Sequence, residues 1–171
     1  VDKNVNSRRE IKLSKNLSPL NSKRFLQTRS CMRRALGELL KLDPIEVPLL
    51  ADPNKPPIIL NGFGHISISH TDNALIIIWD DEKIGIDMER KDRSFDYNML
   101  AKKLLKENYE LDRFERLDIL NLWCGFESVI KWDRGSISKD INSWVFNKID
   151  KTIIHKDCLL YTSPSPRDRR L

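Results

Sequence analysis

Cysteine is scarce in this chain and long apolar runs are absent. Only three of the 171 residues are cysteine, Cys31, Cys124 and Cys158. They show neither close pairing nor the spacing of a metal cluster, which argues against a disulfide scaffold and for a reduced, cytoplasmic protein. No hydrophobic stretch approaches the ~20 residues of a membrane span. The first residues carry no secretory pattern, and no internal repeat is visible. The chain opens on Val1 rather than Met and is expected to be a fragment.

What is present is ordinary for a globular protein: 40% hydrophobic and 32% charged residues, in a length that allows one domain or two small halves with a real core. The formal charge of +5 suits an anionic ligand or an acidic partner. A basic surface that serves solubility alone fits the number equally well.

Residues 1–17 are polar, mixed in charge and without period, and are expected to form a loose lead-in. Ser18-Pro19 is helix-start chemistry. Phe25, Met32, Leu36, Leu39 and Leu40 then follow a helical stripe over Lys23–Leu40. Arg29 and Arg33, one turn apart, make either a solvated basic face or a phosphate clamp. Five prolines between Asp43 and Pro57 predict a loop with Lys55-Pro56 near its tip.

Ile58 to Glu89 reads as sheet. His65–Ser69 alternates polar and apolar residues, as a half-buried strand does, and Ala74–Trp79 has the continuous apolar run of a central strand. A third strand, ending Ile84-Gly85-Ile86-Asp87-Met88-Glu89-Arg90, completes an antiparallel meander. Extended, it would turn Ile84, Ile86 and Met88 into a core and line the other face with Gly85, Asp87 and Glu89. Two hard oxygen ligands on one face suit Mg²⁺ near a phosphate, although such a strand end is more often a solvated edge.

Ser94 is placed to cap a helix from Phe95 to about Tyr109. A second helix is expected from about Glu115 to Trp132. Along it Trp123, Glu127 and Lys131 share one stripe, while Phe126, Val129 and Ile130 face elsewhere. Asp133-Arg134-Gly135 ends it. A hairpin is expected across Ser143–Ile149 and Thr152–His155. Residues 158–171 have no apolar period and read either as a disordered basic tail or as a translated adapter rather than native protein.

Ser69-His70-Thr71, Gly85-Ile86-Asp87-Met88-Glu89 and Trp123-x-x-x-Glu127-Ser128-x-x-Lys131, in that order and spacing, resemble the 4′-phosphopantetheinyl transferases of the surfactin-synthetase-activating type, cyanobacterial members above all. The resemblance spans roughly Arg24 to His155. Two departures stand out: Phe126 replaces the lysine of Trp-x-x-Lys-Glu, and Asn54-Lys55-Pro56 replaces Gly-Lys-Pro.

The resemblance implies an α+β fold of two pseudo-twofold-related halves, each a small antiparallel sheet on a long helix, truncated here at both ends. The halves would be residues 18–92 and 93–156, the second incomplete. It implies a monomeric enzyme that moves the phosphopantetheine arm of coenzyme A onto a serine of an apo acyl or peptidyl carrier protein and releases 3′,5′-ADP. Coenzyme A would lie between the halves. Asp87, Glu89 and Glu127 would hold Mg²⁺. Glu127 would also act as general base toward the serine hydroxyl, and Lys131 would stabilise phosphate charge or protonate the leaving group. Arg29, Lys55 and His70 would contact coenzyme A, His70 at its 3′-phosphate. Ordinary readings compete: a turn histidine at His70, an exposed Glu127–Lys131 helix pair, and Trp123 in the core. Two other classes remain, a non-catalytic relative that binds carrier protein or nucleotide, and a basic RNA-binding protein. The second is disfavoured because the aromatics read as buried rather than interleaved with a basic patch.

Overall fold

Helix begins earlier than the apolar periodicity predicts. The structure, a computed structural model, describes residues 5–106 and 114–157. The expected lead-in contains α1, Arg8–Ser14. Its signal is Ser7-x-x-Glu10. The Ser7 hydroxyl accepts from the Glu10 amide (3.2 Å) and the Glu10 carboxylate accepts from the Ser7 amide (2.6 Å), so each satisfies an amide that the helix cannot. α2 follows as Pro19–Leu40. Proline costs nothing in its first turn, where no intrahelical bond is lost.

The chain is α+β and divides into two compact units, Val1–Met88 and Glu89–Leu171. In the first, Met32 and Leu36 of α2 pack with Val47, Leu49, Ala51, Ile59 and Ile66. The proline-dense segment is not all loop. Leu49–Leu50 (β1) pairs antiparallel with Ile58–Ile59 (β2), and the prolines fall outside both strands, where no ladder bond is needed. His65–His70 (β3) and Leu75–Asp80 (β4) form an antiparallel hairpin closed by the bond from the Thr71 amide to the Ala74 carbonyl (2.9 Å). Gly64 leads into β3 at φ 88°, and a Cβ there would lie 2.6 Å from the Asp80 carbonyl oxygen, so glycine is required on both counts.

Three strand expectations change. β4 is half-buried throughout rather than central, because among the described residues its sheet has two strands. Ser67 and Ser69 of β3 are buried, not solvated. Residues 84–89 form no third strand of the meander. The Ile86 and Met88 amides donate instead to the hydroxyls of Ser67 (3.2 Å) and Ser69 (3.1 Å), a register that runs the segment parallel to β3. All six residues of this strap are half-buried, without the expected alternation.

Of the two readings of Arg29 and Arg33, the solvated basic face is not formed: both side chains turn inward. Arg33 is 3% exposed. Its Nε meets both oxygens of Glu10 (2.9 and 3.1 Å), and its Nη1 donates to the carbonyls of Val47 (3.0 Å), Pro44 (3.2 Å) and Ile45 (3.3 Å). Glu10 therefore caps α1 and also neutralises a guanidinium inside the unit.

In the second unit, Asp96 rather than Ser94 caps α3, Tyr97–Leu105, by accepting from the Met99 amide (2.9 Å). The expected continuation to Tyr109, along with Cys158 and the tail at 158–171, lies outside the described residues. α4 spans Arg116–Trp132 behind a cap in which the Glu115 amide donates to Asp118 (2.8 Å). It ends where Arg134 adopts φ 57° and the Gly135 amide returns to the Ile130 carbonyl (2.8 Å). The short helix α5, Ile137–Asp140, and a 3₁₀ turn at Ile141–Ser143 lead to the expected hairpin, Trp144–Asn147 (β5) with Thr152–His155 (β6). Ala101, Leu104, Leu105, Ile119, Leu122, Phe126, Ile130, Ile141 and Trp144 form the core. Among the described residues no helix is long and apolar enough to cross a membrane.

Removing one member of a buried ion pair strands the other, at a cost of about 3–5 kcal/mol. Glu10→Ala is accordingly expected to lower the urea midpoint of the first unit far more than substitution of the exposed Lys12. A midpoint within error of wild type would refute the role given to Glu10.

Candidate functional site

The acidic strap is built from β3. Alternate residues of a strand point to one face, so Ser67 and Ser69 present two hydroxyls in a row, and alternate amides of the strap dock on them. Between those amides, Asp87 Oδ1 accepts from Ser69 Oγ (2.8 Å), and Asp87 Oδ2 is buried. A solvated edge would leave this carboxylate in water. Here it is half-buried and directed by a neighbouring hydroxyl.

His70 ends β3 with its side chain exposed, on the face opposite Ser69. In the turn beside it, Asp72 pairs with Arg24 of α2 (3.2 Å). Lys55 is largely exposed on its proline-stiffened turn, 3.8 Å from the Asp52 carboxylate. Arg29 lies deeper, at 7% exposure. Its Nε donates to the Ala51 carbonyl (2.8 Å) and its Nη2 to that of Asp52 (3.5 Å), with the guanidinium 4.6 Å from the Phe25 ring centre. Burial pulls the Arg29 pKa below its ordinary value, and the carboxylates of Glu10 and Asp52 oppose that shift. Arg9 clasps Asp52 through both carboxylate oxygens (2.9 Å each). Two of the expected phosphate contacts, Arg29 and Lys55, thus converge on Asp52, with Arg9 as a third cation that the sequence reading passed over.

In the second unit, Glu89 forms an ion pair with Arg93, four residues on. Glu127 and Lys131 sit one turn apart on α4, both half-buried, as is Trp123. Phe126 is fully buried among Leu122, Ile130 and their neighbours. A lysine there would have to leave an ammonium in hydrocarbon or turn out of the core, so the departure at this position is one of packing.

Carboxylates are the right donors for a hard divalent cation. Among the described residues, no three His, Cys, Asp or Glu side chains stand together as a metal cage. The division of the chain falls between Met88 and Glu89, inside the Asp87–Glu89 pair. Asp87 therefore belongs to the first unit, and Glu89 and Glu127 to the second.

Arg29 is already committed to backbone carbonyls, so Arg29→Ala is expected to cost about 1–3 kcal/mol in urea unfolding, the penalty for leaving a buried acceptor without its donor. Unchanged stability would mean that the Ala51 carbonyl has no need of it.

Searches against family models and against curated proteins returned no match for this chain.

Proposed function

We propose that this protein transfers the 4′-phosphopantetheine arm of coenzyme A to a serine of an apo carrier protein. The observation that carries the reading is the strap. A carboxylate in an Asp-x-Glu pair is drawn out of solvent and held by a buried serine hydroxyl, an arrangement that a merely solvated strand end does not need. The order and spacing of the three motifs support it. So does the content of each unit among the described residues, a long helix with small antiparallel sheets, two in the first unit and one in the second.

The chemistry follows from charge. The carrier serine oxygen attacks the phosphorus that bears the pantetheine arm. A new P–O bond forms, the diphosphate P–O bond breaks, and 3′,5′-ADP leaves. Glu127 takes the serine proton as general base. Lys131, one turn along α4, neutralises charge on the departing phosphate. Mg²⁺ held by Asp87, Glu89 and Glu127 would supply charge compensation at the diphosphate. Glu89 is paired with Arg93 and would have to leave that pair to serve this role. His70 and Lys55 are exposed and available to phosphate, whereas Arg29 contributes its charge from beneath the surface.

The rival is a non-catalytic relative that binds carrier or nucleotide, and the buried Phe126 in place of a basic residue is what favours it. Incubation of the chain with apo carrier protein, coenzyme A and Mg²⁺, followed by intact mass spectrometry, separates the two. The carrier gains the mass of the arm if the transferase reading is right. A carrier that is retained by the protein but unchanged in mass supports the rival.

Asp87→Ala should abolish transfer while retaining the native circular-dichroism spectrum, because Asp87 lies outside both cores. Normal turnover in that variant contradicts its role. Glu127→Gln should lower kcat by roughly 10²–10⁴, the usual contribution of a general base. A change confined to the KM for coenzyme A would reassign Glu127 to binding.

A further inference from the structure

We propose that Arg9 and Lys55 form a binding site for a phosphate group, with Asp52 as the positioning residue that assembles it. All three residues lie in the first unit, and the site stands on that unit alone. That the phosphate belongs to coenzyme A rests on the transferase reading. Arg9 is an exposed residue of α1 whose guanidinium is held by one edge. Its Nε donates to Asp52 Oδ1 (3.1 Å), and its Nη2 donates to Oδ1 and Oδ2 (2.9 Å each). Among the described residues its Nη1 makes no hydrogen bond. A guanidinium is planar, so anchoring one edge also fixes the direction of the other. The Nη1–Nη2 edge is then presented as a fork that matches two oxygens of a phosphate.

Lys55 is brought to the same carboxylate by a turn. In Asp52-Pro53-Asn54-Lys55 the Lys55 amide donates to the Asp52 carbonyl (3.3 Å), Pro53 presets the first φ, and Asn54 takes φ 59°. Arg29 Nη2 donates to that carbonyl as well (3.5 Å), which fastens the turn to α2 from beneath. The Lys55 ammonium lies 3.8 Å from Asp52 Oδ2, an ion pair too long for a hydrogen bond, so its donors are open to a ligand. Arg9 and Lys55 thus flank one carboxylate oxygen, close enough for a single phosphate to touch both. Charge points the same way. Arg9, Arg29 and Lys55 surround one carboxylate, and Glu10, the other carboxylate acting on Arg29, is already paired with Arg33. The surplus of positive charge matches a phosphate dianion.

The test is titration of the full 171-residue chain with inorganic pyrophosphate, followed by ¹H–¹⁵N NMR. Arg9→Ala and Lys55→Ala are each expected to weaken binding by ~10-fold, the loss of one charge-assisted contact. Lys12→Ala removes the same charge from another exposed position on α1 and should leave affinity near wild type. Asp52→Ala discriminates most sharply. It removes a negative charge, so a diffuse electrostatic effect would tighten pyrophosphate, whereas loss of the anchor for Arg9 should weaken it. No binding to the wild-type chain, wild-type affinity in Arg9→Ala, equal weakening in Lys12→Ala, or tighter binding in Asp52→Ala overturns the proposal. If Arg9→Ala does not fold, Arg9→Lys, which keeps the charge but lacks the fork, takes its place: weaker binding is expected, and wild-type affinity overturns the role of Arg9. In the carrier assay Arg9→Ala should raise the KM for coenzyme A with kcat unchanged, and an unchanged KM overturns the assignment of the phosphate to coenzyme A. Arg9-dependent binding of pyrophosphate by a chain that never modifies carrier supports the site and defeats the transferase reading alone.

Discussion

Two serine hydroxyls do the work of a missing strand ladder. In an ordinary sheet the Asp87 segment would be held by backbone carbonyls, and any sequence of suitable propensity would serve. Here the acceptors are side chains on one face of β3, so the register of the strap depends on residue identity at two positions. A shift by one residue would bring Asp87 and Gly85 amides to the hydroxyls and turn the carboxylate away from Ser69. The placement of the acidic group therefore depends on a side-chain contact, and that contact depends on the fixed two-residue period of β3.

A second constraint is the handling of positive charge. The chain has five more basic than acidic residues, which suggests a basic exterior. Two of the arginines most suggestive of one, Arg29 and Arg33, are instead internal fixtures. Each offers a planar fork of donors that collects several carbonyls at once, a task for which lysine's compact ammonium is poorly shaped. They tie α2 to the irregular segment from Pro44 to Asp52, where proline removes backbone donors and leaves carbonyls that need partners.

The helices were largely legible from sequence. α2 and α4 carry long apolar stripes with proline or acidic residues at their starts, and their observed spans lie within a few residues of those expected. The closing hairpin was legible for the same reason. α1 was not, because seven residues hold too few apolar positions to show a period, although Ser7-x-x-Glu10 was there to be read. The strap was misread because an apolar strand-like run says nothing about which acceptors its amides will find. The serines of β3 were read as its wet face when they are buried contacts. At the candidate site, residue types and order were visible in the sequence. The Arg93 partner of Glu89 and the convergence of Arg9, Arg29 and Lys55 on Asp52 were not, since each depends on side-chain reach across folded chain.

The double duty of Glu10 bears on how this protein can be dissected. Hydrophobic patterning invites a cut just before Ser18, where the first long helix begins and the preceding residues look dispensable. Such a shortened version would keep every apolar residue of the first core and still lose the counter-ion of Arg33. The result would be a solvent-starved cation at the centre of an otherwise complete fold, a defect that expression trials would register as insolubility rather than as the loss of any contact visible in an alignment of greasy positions.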